Sequence, residues 1–201
     1  METKNGFEKR AEMIRRKIIN TTLEMLKTWE PKRMRVADIA KEAGVSQVTI
    51  YNYFGSKEKL IDQTFRSYLD MTIERFERFM DKPRSVRDFI HFSMEMEREQ
   101  YSAFRPEQIK TLMIDDQEMF GYVQERYAGT VLPLMIKLVE DGKASGEISP
   151  KVSVNAVLAY MNMYIRSSSE LLELAQKQED LNAFLDELTH LFFYGLCGRE
   201  E

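Results

Sequence analysis

The sequence contains few of the residues that build disulfide frameworks or metal sites. Its 201 residues include one cysteine, Cys197, which excludes an internal disulfide and fits a reducing compartment. The two histidines, His91 and His190, have no metal-site spacing such as H-E-x-x-H. There is no apolar run long enough to span a membrane and no leader peptide at the start. These absences predict a soluble, cytoplasmic protein without a bound metal.

Strand patterns and catalytic motifs are missing as well. Alternating β-branched segments do not occur, and apolar residues recur with the 3.6-residue period of helices, so we predict an all-α fold. His190 and Cys197 are seven residues apart on one predicted helix, about 10 Å along its axis, which is too far for a nucleophile and its base. The segment Gly142–Gly146 matches neither a nucleophile elbow nor a phosphate-binding loop. We therefore expect no enzymatic activity and no cofactor.

A helix-turn-helix pattern lies near the start of the chain, in residues 36–62, which read VADIAKEAGVSQVTIYNYFGSKEKLID. Apolar residues recur at i, i+3, i+4 and i+7 from Val36 to Ala43, as on one face of a helix. Gly44 follows where a helix end favours a left-handed residue, and Ser46 is a good N-cap for the next helix. Two short helices joined by such a turn are typical of proteins that place the second helix in the major groove of DNA.

The second helix of the pattern, residues 47–54, presents side chains suited to DNA. Ile50 and Phe54 are four residues apart and can face the core, which leaves Gln47, Thr49, Asn52 and Tyr53 on the outer side. Glutamine and asparagine can pair with adenine edges, and tyrosine and threonine hydroxyls suit phosphates. A simple helical hairpin with a solvated polar face is the alternative, although three aromatic residues crowd these eight positions.

The residues from Ile39 to Leu60 carry a resemblance to a known family. The string Ile39-Ala40-x-x-Ala43-Gly44-Val45-Ser46-x-x-Thr49-Ile50-Tyr51-x-Tyr53-Phe54-x-Ser56-Lys57-Glu58-x-Leu60 resembles the DNA-binding domain of the TetR family of bacterial transcriptional regulators. The match is dense over about residues 10–65. Beyond it, only helix number, helix length and the Gly-x-x-x-Gly-Glu turn from Gly142 to Glu147 are similar. The resemblance implies an all-helical homodimer, a palindromic operator and release by a small ligand.

Candidate DNA-binding residues follow from this resemblance. Gln47, Val48, Thr49 and Asn52 match the positions that face the groove in the family, and Tyr51, Tyr53 and Lys57 match its phosphate contacts. Ser46 joins the predicted DNA-binding set as the cap of the recognition helix. One departure stands out, since family members often have threonine where Arg35 and Val36 stand. Arg35 has the reach to contact phosphate, and the departure leaves open which group caps this helix.

The distribution of charge agrees with a DNA-binding head. The chain as a whole has a net charge of −4, which argues against a general nucleic-acid coat. Its first 60 residues have 13 Lys and Arg against 8 Asp and Glu, a net charge of +5, and the remaining 141 residues have a net charge of −9. A chance asymmetry is the alternative, but the net charge changes sign at the end of the helix-turn-helix pattern. A basic head on an acidic body would direct one end of the protein to DNA.

We predict about nine helices in two domains. Residues 1–56 form the helix-turn-helix domain, and residues 57–201 form a helical domain for ligand binding and dimerisation. The predicted helices cover about residues 8–28, 36–43, 47–54, 57–80, 86–104, 106–114, 117–141, from 150 or 154 to 178, and 180–197. The seventh is expected to bend near Gly129 or Pro133 and to end at Gly142 and Gly146. Ser85 to Asp88 resembles a capping box, and Ser149 or Ser153 caps the eighth helix.

The eighth and ninth predicted helices are the expected dimer interface. The apolar stripe of the ninth, from Leu181 to Leu196, is too wide to bury against one neighbour. The eighth has a similar stripe, and the family pairs two such helices with those of a second subunit. An intramolecular core is the alternative. A two-fold dimer would present two recognition helices to the two halves of a palindrome.

Methionine and aromatic residues are frequent in the central part of the chain. They suit an apolar cavity for a hydrophobic or aromatic effector, because methionine adapts to irregular shapes. The candidate lining residues are Phe92, Met96, Tyr101, Phe104, Met113, Met119, Tyr122, Tyr127, Met135, Met161 and Tyr164. Methionine and aromatic residues at helical spacing also form ordinary core, so both interpretations stay open.

The sequence thus predicts a ligand-responsive, dimeric DNA-binding transcriptional regulator, a repressor released from its operator by a small, largely apolar effector. A ligand between the fifth, seventh and eighth predicted helices would shift the fourth and so change the separation of the two heads. Two other functions stay open. One is a DNA-binding architectural or division-control protein that does not act at a promoter. The other is a helical small-molecule-binding protein or enzyme with a borrowed DNA-binding head.

Overall fold

The computed structural model describes residues 6–104 and 106–167, and after these only 170, 171, 174, 177–180, 183, 184, 186–188, 190, 191 and 194. Nine helices lie within the described residues, and no strand occurs there. They are α1 Gly6–Thr28, α2 Val36–Ala43, α3 Gln47–Phe54, α4 Lys57–Met80, α5 Val86–Ala103, α6 Pro106–Ile109, α7 Gln117–Arg126, α8 Leu132–Ser145 and α9 Val154–Arg166. The all-α prediction is confirmed. The ninth predicted helix and the end of the eighth lie largely outside the described residues.

The chain divides into two compact units, Met1–Thr72 and Ile73–Glu201. Helix α4 is continuous from Lys57 to Met80 and therefore contributes to both units. The predicted functional boundary after residue 56 marks the end of the DNA-binding motif and stays a prediction.

The first unit is built on the apolar faces of its helices. Ile18 and Leu26 of α1, Ile39 of α2 and Leu60 of α4 are fully buried, as is Ile50 of α3. Apolar side chains at helical spacing place these faces inward, and their burial is the main source of the unit's stability. This core supports the turn between α2 and α3.

The second unit has two adjoining apolar clusters. One cluster joins α4, α5 and α8 through Phe76, Met80, Phe89, Met135 and Leu138. The other consists of Val86, Val139, Ile148 and Val157 and joins α5, α8 and α9. The aromatic rings of Phe79 and Phe92 stack on each other with their centroids 4.1 Å apart, and both side chains pack against the first cluster. These clusters fix α4, α5, α8 and α9 within the unit.

Two helical segments of this unit are interrupted by single π-helical turns. Lys110–Ile114 follows α6, and Tyr127–Val131 joins α7 to α8. The predicted bend near Gly129 or Pro133 therefore falls at a π-helical turn, where an extra residue enters the helix. Pro133 lies in the first turn of α8, where a missing N–H is tolerated.

The prediction that Gly142 ends the seventh helix is wrong. Helix α8 continues to Ser145, and Gly146 closes it with φ 84° in the left-handed region. Gly142 is buried inside α8, where a Cβ atom would lie 2.8 Å from Cγ2 of Val86 and 3.0 Å from Cδ1 of Ile148. Its small size is needed for close packing, and Gly146 supplies the turn.

Two predicted helix caps are confirmed. Ser85 Oγ accepts the N–H of Asp88 at 3.0 Å, and Asp88 Oδ2 accepts the N–H of Ser85 at 3.1 Å. Hydrogen bonding of the Asp88 carboxylate with the Ser85 hydroxyl and with the Ser85 N–H lowers the pKa of Asp88. Of the two candidates for the next cap, Ser153 is the one used, since its Oγ accepts the N–H of Ala156 at 3.1 Å.

Candidate nucleic-acid interface

The turn between α2 and α3 has the geometry that the sequence predicts. Gly44 has φ 61° and ψ 40°, a left-handed conformation that glycine adopts without steric cost. Its N–H donates to the carbonyl of Lys41 at 3.2 Å, and the N–H of Val45 donates to that of Ala40 at 2.9 Å. These bonds satisfy carbonyls at the end of α2 and turn the chain sharply into α3.

Helix α3 is anchored on one side and capped at its start. Ile50 is fully buried and Phe54 nearly so, as the four-residue spacing predicts. Ser46 Oγ accepts the N–H of Thr49 at 3.0 Å, which confirms Ser46 as the N-cap. The guanidinium of Arg15 lies over the ring of Phe54, with 5.5 Å between Cζ and the ring centroid. The short helix is thereby held in one orientation.

The opposite side of α3 is open to solvent. Gln47 and Asn52 are exposed, Val48 is 65% exposed and Tyr51 is 48% exposed. These four residues form the exposed face of α3, and they place two amide side chains, a phenol and an aliphatic group side by side. Such a set can contact base edges, a thymine methyl and phosphates.

Two other predicted contacts on α3 are less accessible. Thr49 is half-buried, and its hydroxyl lies 2.8 Å from that of Ser46, so the two hydroxyls share a hydrogen bond. Tyr53 was predicted on the outer side, but it is half-buried, with its ring centroid 6.3 Å from that of Phe54. Both positions border the exposed face.

Lys57 begins α4, and its ammonium is engaged within the first unit. Its Nζ donates to the carbonyl of Pro31 at 3.3 Å and to that of Met34 at 3.2 Å. Two of its three N–H groups are used in this way, which leaves one for a phosphate. Ser56 caps the same helix, since its Oγ accepts the N–H of Lys59 at 3.1 Å. Lys57 thus ties the start of α4 to the loop before α2.

Arg35 is the N-cap residue of α2 and makes no side-chain hydrogen bond to the helix backbone. Its guanidinium pairs with Asp38, with Nε 2.8 Å from Oδ2 and Nη2 2.9 Å from Oδ1. This hydrogen-bonded pair lowers the pKa of Asp38 and raises the pKa of Arg35. The N-terminus of α2 therefore lacks the side-chain cap that a threonine would supply, and the ion pair of Arg35 with Asp38 occupies this position instead.

Some features of this surface have little or no signal in the sequence. The carbonyls of Pro31 and Met34 become partners of Lys57 only because the fold closes the loop between α1 and α2 on α4. The contact of Asp38 with Arg35 has the three-residue spacing of neighbours on a helix. That spacing was the only signal that could have revealed the pair.

The predicted effector residues occupy varied positions in the second unit. Phe104, Met119 and Met135 are buried, and Phe92, Met96, Tyr122 and Tyr127 are half-buried. Met135 belongs to the first apolar cluster and Phe92 packs against it. Partial burial raises the pKa of Tyr127. The side chains of Tyr101, Met113, Met161 and Tyr164 lie outside the described part of the structure.

Metal sites and membrane spans are absent from the part of the chain that the structure describes. Its residues contain no group of three His, Cys, Asp or Glu side chains placed to hold a metal ion. Among the helices that the structure describes, none combines sufficient length and apolar character to cross a bilayer.

Comparison with known proteins agrees with the geometry of the first unit. Residues 18–64 match the family described as bacterial regulatory proteins, tetR family. This part of the chain is thus assigned to the TetR family. The match covers α2, α3 and the parts of α1 and α4 that support them, so the exposed face of α3 lies in the DNA-binding motif of the TetR family.

The chain is also similar to curated TetR-family repressors. It is 23% identical over 134 residues to the HTH-type transcriptional repressor KstR2 of Mycolicibacterium smegmatis, an alignment that spans 65% of each chain. It is 22% identical over 130 residues to KstR2 of Mycobacterium tuberculosis, across 63% of this chain and 64% of that protein. The alignments thus span slightly less than two thirds of the length of these repressors.

Solved structures share the fold over nearly the whole chain. FadR from Bacillus subtilis, in complex with stearoyl-CoA, has a TM-score of 0.64 and 22% identity and covers 90% of this chain and 98% of its own. A putative regulator from Saccharomonospora viridis, in complex with choline, has a TM-score of 0.66 and 15% identity and covers 94% and 100%. At these identities the likeness shows the fold alone.

Proposed function

We propose that this protein is a dimeric transcriptional repressor that binds a palindromic DNA operator and is released from it by a small, largely apolar effector. The exposed face of α3 is the observation that carries the proposal. Gln47, Val48, Tyr51 and Asn52 project from a helix that Ile50 and Phe54 hold in the core. A rigid helix with polar and aromatic side chains on its free side suits the major groove.

Exposed apolar residues near the end of the described chain support dimerisation. Tyr160 and Met163 of α9 are 39% and 64% exposed, although Val157 on the same helix is buried. Leu174 and Leu191 are 48% and 66% exposed. Large apolar groups in water favour burial against a partner. The eighth and ninth predicted helices therefore remain our choice for the interface of a homodimer.

The effector is the second part of the proposal. FadR was solved with stearoyl-CoA and the Saccharomonospora regulator with choline, so proteins of this fold bind small molecules of different chemistry. The aromatic and methionine residues around Phe92 and Met135 favour an apolar ligand. Helix α4 is continuous through both units, which suits it to transmit a change in the body to the head.

As a repressor of this kind, the protein would act in the cytoplasm, at the nucleoid when bound to DNA, and would have no catalytic role. We expect DNA and the effector, together with a second copy of the chain, to be its partners.

Selection from random DNA tests the proposed function. The full-length protein is incubated with a random duplex library, and bound sequences are recovered over several rounds. We expect an inverted repeat whose half-sites are about one helical turn, or a multiple of it, apart. Recovery of no preferred sequence would contradict operator recognition. Genome-wide mapping that finds many dispersed sites away from promoters would favour an architectural role.

Ligand release is tested on the selected operator. We expect stearoyl-CoA, whose long acyl chain is the apolar part of the probe, to dissociate the complex in a gel shift, and choline, as a cationic probe, to leave it intact. Release by choline alone would contradict the apolar class of effector. Chemical turnover of the bound probe would contradict the non-enzymatic role.

A further inference from the structure

The start of α2 has an unusual arrangement of charge. Arg35 has the extended backbone of an N-cap, with φ −106° and ψ 147°. A guanidinium has no acceptor atom, so it cannot satisfy the free N–H groups of the helix as serine or threonine does. The side chain turns instead to the carboxylate of Asp38, which lies three residues on in the first turn of α2.

The contact between the two side chains uses one edge of the guanidinium. Nε of Arg35 donates to Oδ2 of Asp38, and Nη2 donates to Oδ1. Two parallel hydrogen bonds of this kind fix the plane of the guanidinium as well as its distance. Of the five N–H donors of arginine, three remain, two on Nη1 and one on Nη2, and they lie along the outer edge.

The accessibility of the two partners is unequal. The side chain of Arg35 is 78% exposed, whereas that of Asp38 is 23% exposed. The carboxylate therefore lies beneath the guanidinium, against the protein, and the outer edge of the guanidinium faces solvent. That edge has the spacing that matches two oxygens of a phosphate.

A second cation contacts the backbone immediately before Arg35. Lys57 donates to the carbonyl of Met34, the residue immediately before Arg35, at 3.2 Å. The first residue of α4 is thereby brought to the start of α2. A phosphate held by Arg35 would also experience the charge of Lys57, whose third N–H group is not used by these carbonyls.

We propose that Asp38 is a positioning residue that holds the guanidinium of Arg35 by one edge so that its other edge binds a single phosphate of the DNA backbone. This inference rests on the proposed DNA-binding function and extends it. If Asp38 instead held Arg35 away from DNA, loss of the Asp38 carboxylate would increase the cost of Arg35→Ala for DNA binding rather than reduce it.

A double-mutant cycle on operator binding tests the inference. The wild type, Arg35→Ala, Asp38→Asn and the double variant are titrated on the selected operator at several salt concentrations. In the wild-type background we expect Arg35→Ala to weaken binding about tenfold and to reduce the salt slope by about one. In the Asp38→Asn background the same change should weaken binding about threefold or less, because a loose guanidinium loses its geometry.

Two further variants control for charge and for shape. Glu42→Gln removes a carboxylate from the exposed end of the same helix, and we expect the cost of Arg35→Ala to stay at its wild-type value in this background. Arg35→Lys keeps the charge without the planar fork and should recover less than half of the lost affinity on a logarithmic scale. Fluorescence of Trp29, the single tryptophan, verifies that each variant has a folded first unit.

The outcomes distinguish this inference from the proposed function. An equal cost of Arg35→Ala in the wild-type and Asp38→Asn backgrounds would overturn the positioning role. A larger cost in the Asp38→Asn background would show that Asp38 withdraws Arg35, and that also overturns it. If the wild type selects no operator at all, the proposed function fails and not only this inference.

Discussion

Individual side chains on the first unit fall into two groups according to their contacts. Gln47 and Asn52 are exposed and stand on a helix with a fixed orientation, so their amides are available to base edges. Arg35 and Lys57 were predicted to contact phosphate, and both already have partners within the unit. Gln47 and Asn52 are therefore suited to determine sequence preference. Arg35 and Lys57 each make a structural contact and keep at least one N–H group that can donate to a phosphate.

Replacement of Gln47 should affect one base position. We expect Gln47→Ala to cost about 1–3 kcal/mol at that base pair and to relax the preference there, because the amide can pair with only one base at a time. Binding is measured on the selected operator and on variants with each base pair changed. Val48→Ala is the control on the neighbouring exposed position and should retain the preference at that base pair. A uniform loss over all operators would mean that Gln47 does not read bases.

Replacement of Lys57 should affect stability and binding together. We expect Lys57→Ala to lower the unfolding free energy of the first unit by about 1–2 kcal/mol, since two backbone carbonyls lose a charged donor. The same variant should weaken binding on all DNA sequences and lessen its salt dependence. Urea unfolding followed by Trp29 fluorescence measures the first effect.

Lys59 gives a matched control for Lys57. It stands two residues further along α4, is exposed, and uses only its backbone N–H in the contact with Ser56. Lys59→Ala should therefore leave the unfolding midpoint unchanged within error. Equal midpoints for the two variants would contradict the structural role of Lys57.

At the scale of elements, the turn from Gly142 to Glu147 joins α8 to the start of α5. Gly142 lets α8 pack against Val86 and Ile148, and Gly146 provides the left-handed helix end. Glu147 Oε2 accepts the N–H of Val86 at 2.7 Å, which satisfies a free donor in the first turn of α5. The Gly-x-x-x-Gly-Glu string thus has three separate physical roles within one turn.

Two glycine substitutions should have different effects on stability. Gly121 is exposed inside α7, and a Cβ atom added to it would have no neighbouring atom within 4 Å, so Gly121→Ala should stabilise by about 0.5–1 kcal/mol. Gly142→Ala should be less stable than Gly121→Ala by about 1–3 kcal/mol, because its methyl group overlaps Val86 and Ile148. Denaturation followed by circular dichroism compares the two. Equal stabilities of the two variants would show that Val86 and Ile148 accommodate the added methyl group without loss of stability.

At the scale of the whole molecule, the proposed function depends on two copies of the chain. One recognition helix covers only a few base pairs, and two copies related by symmetry read a palindrome with far greater affinity. We expect Tyr160→Glu together with Met163→Glu to weaken the dimer at least about tenfold, since carboxylates in an apolar interface are costly. Sedimentation equilibrium measures the association, and operator affinity should fall with it.

Phe120 offers a control for the dimer variant. It is a large apolar residue, 42% exposed, but it lies on α7 rather than α9. Phe120→Glu should leave the dimer intact. A wild-type protein that is monomeric at micromolar concentration, or equal effects of the two variants, would contradict the proposed interface.

Much of the first unit follows from local sequence rules. The stripe from Val36 to Ala43, the left-handed Gly44 and the cap at Ser46 depend on contacts within a few residues, so the pattern determines them. The half-buried state of Tyr53 could not be predicted in this way, because it depends on the packing of its ring near Phe54 within the folded unit.

The sequence by itself determined the all-helical fold, the limits of α2, α3 and α4, and the exposure of Gln47 and Asn52 on α3. Helix periods and caps are short-range properties, and a linear pattern contains them. Only the tertiary structure decided that Gly142 is a packing position, that Glu147 caps α5, and that Lys57 ties α4 to the loop before α2. These contacts join residues 6 to 61 positions apart, and their geometry exists only once the helices have packed.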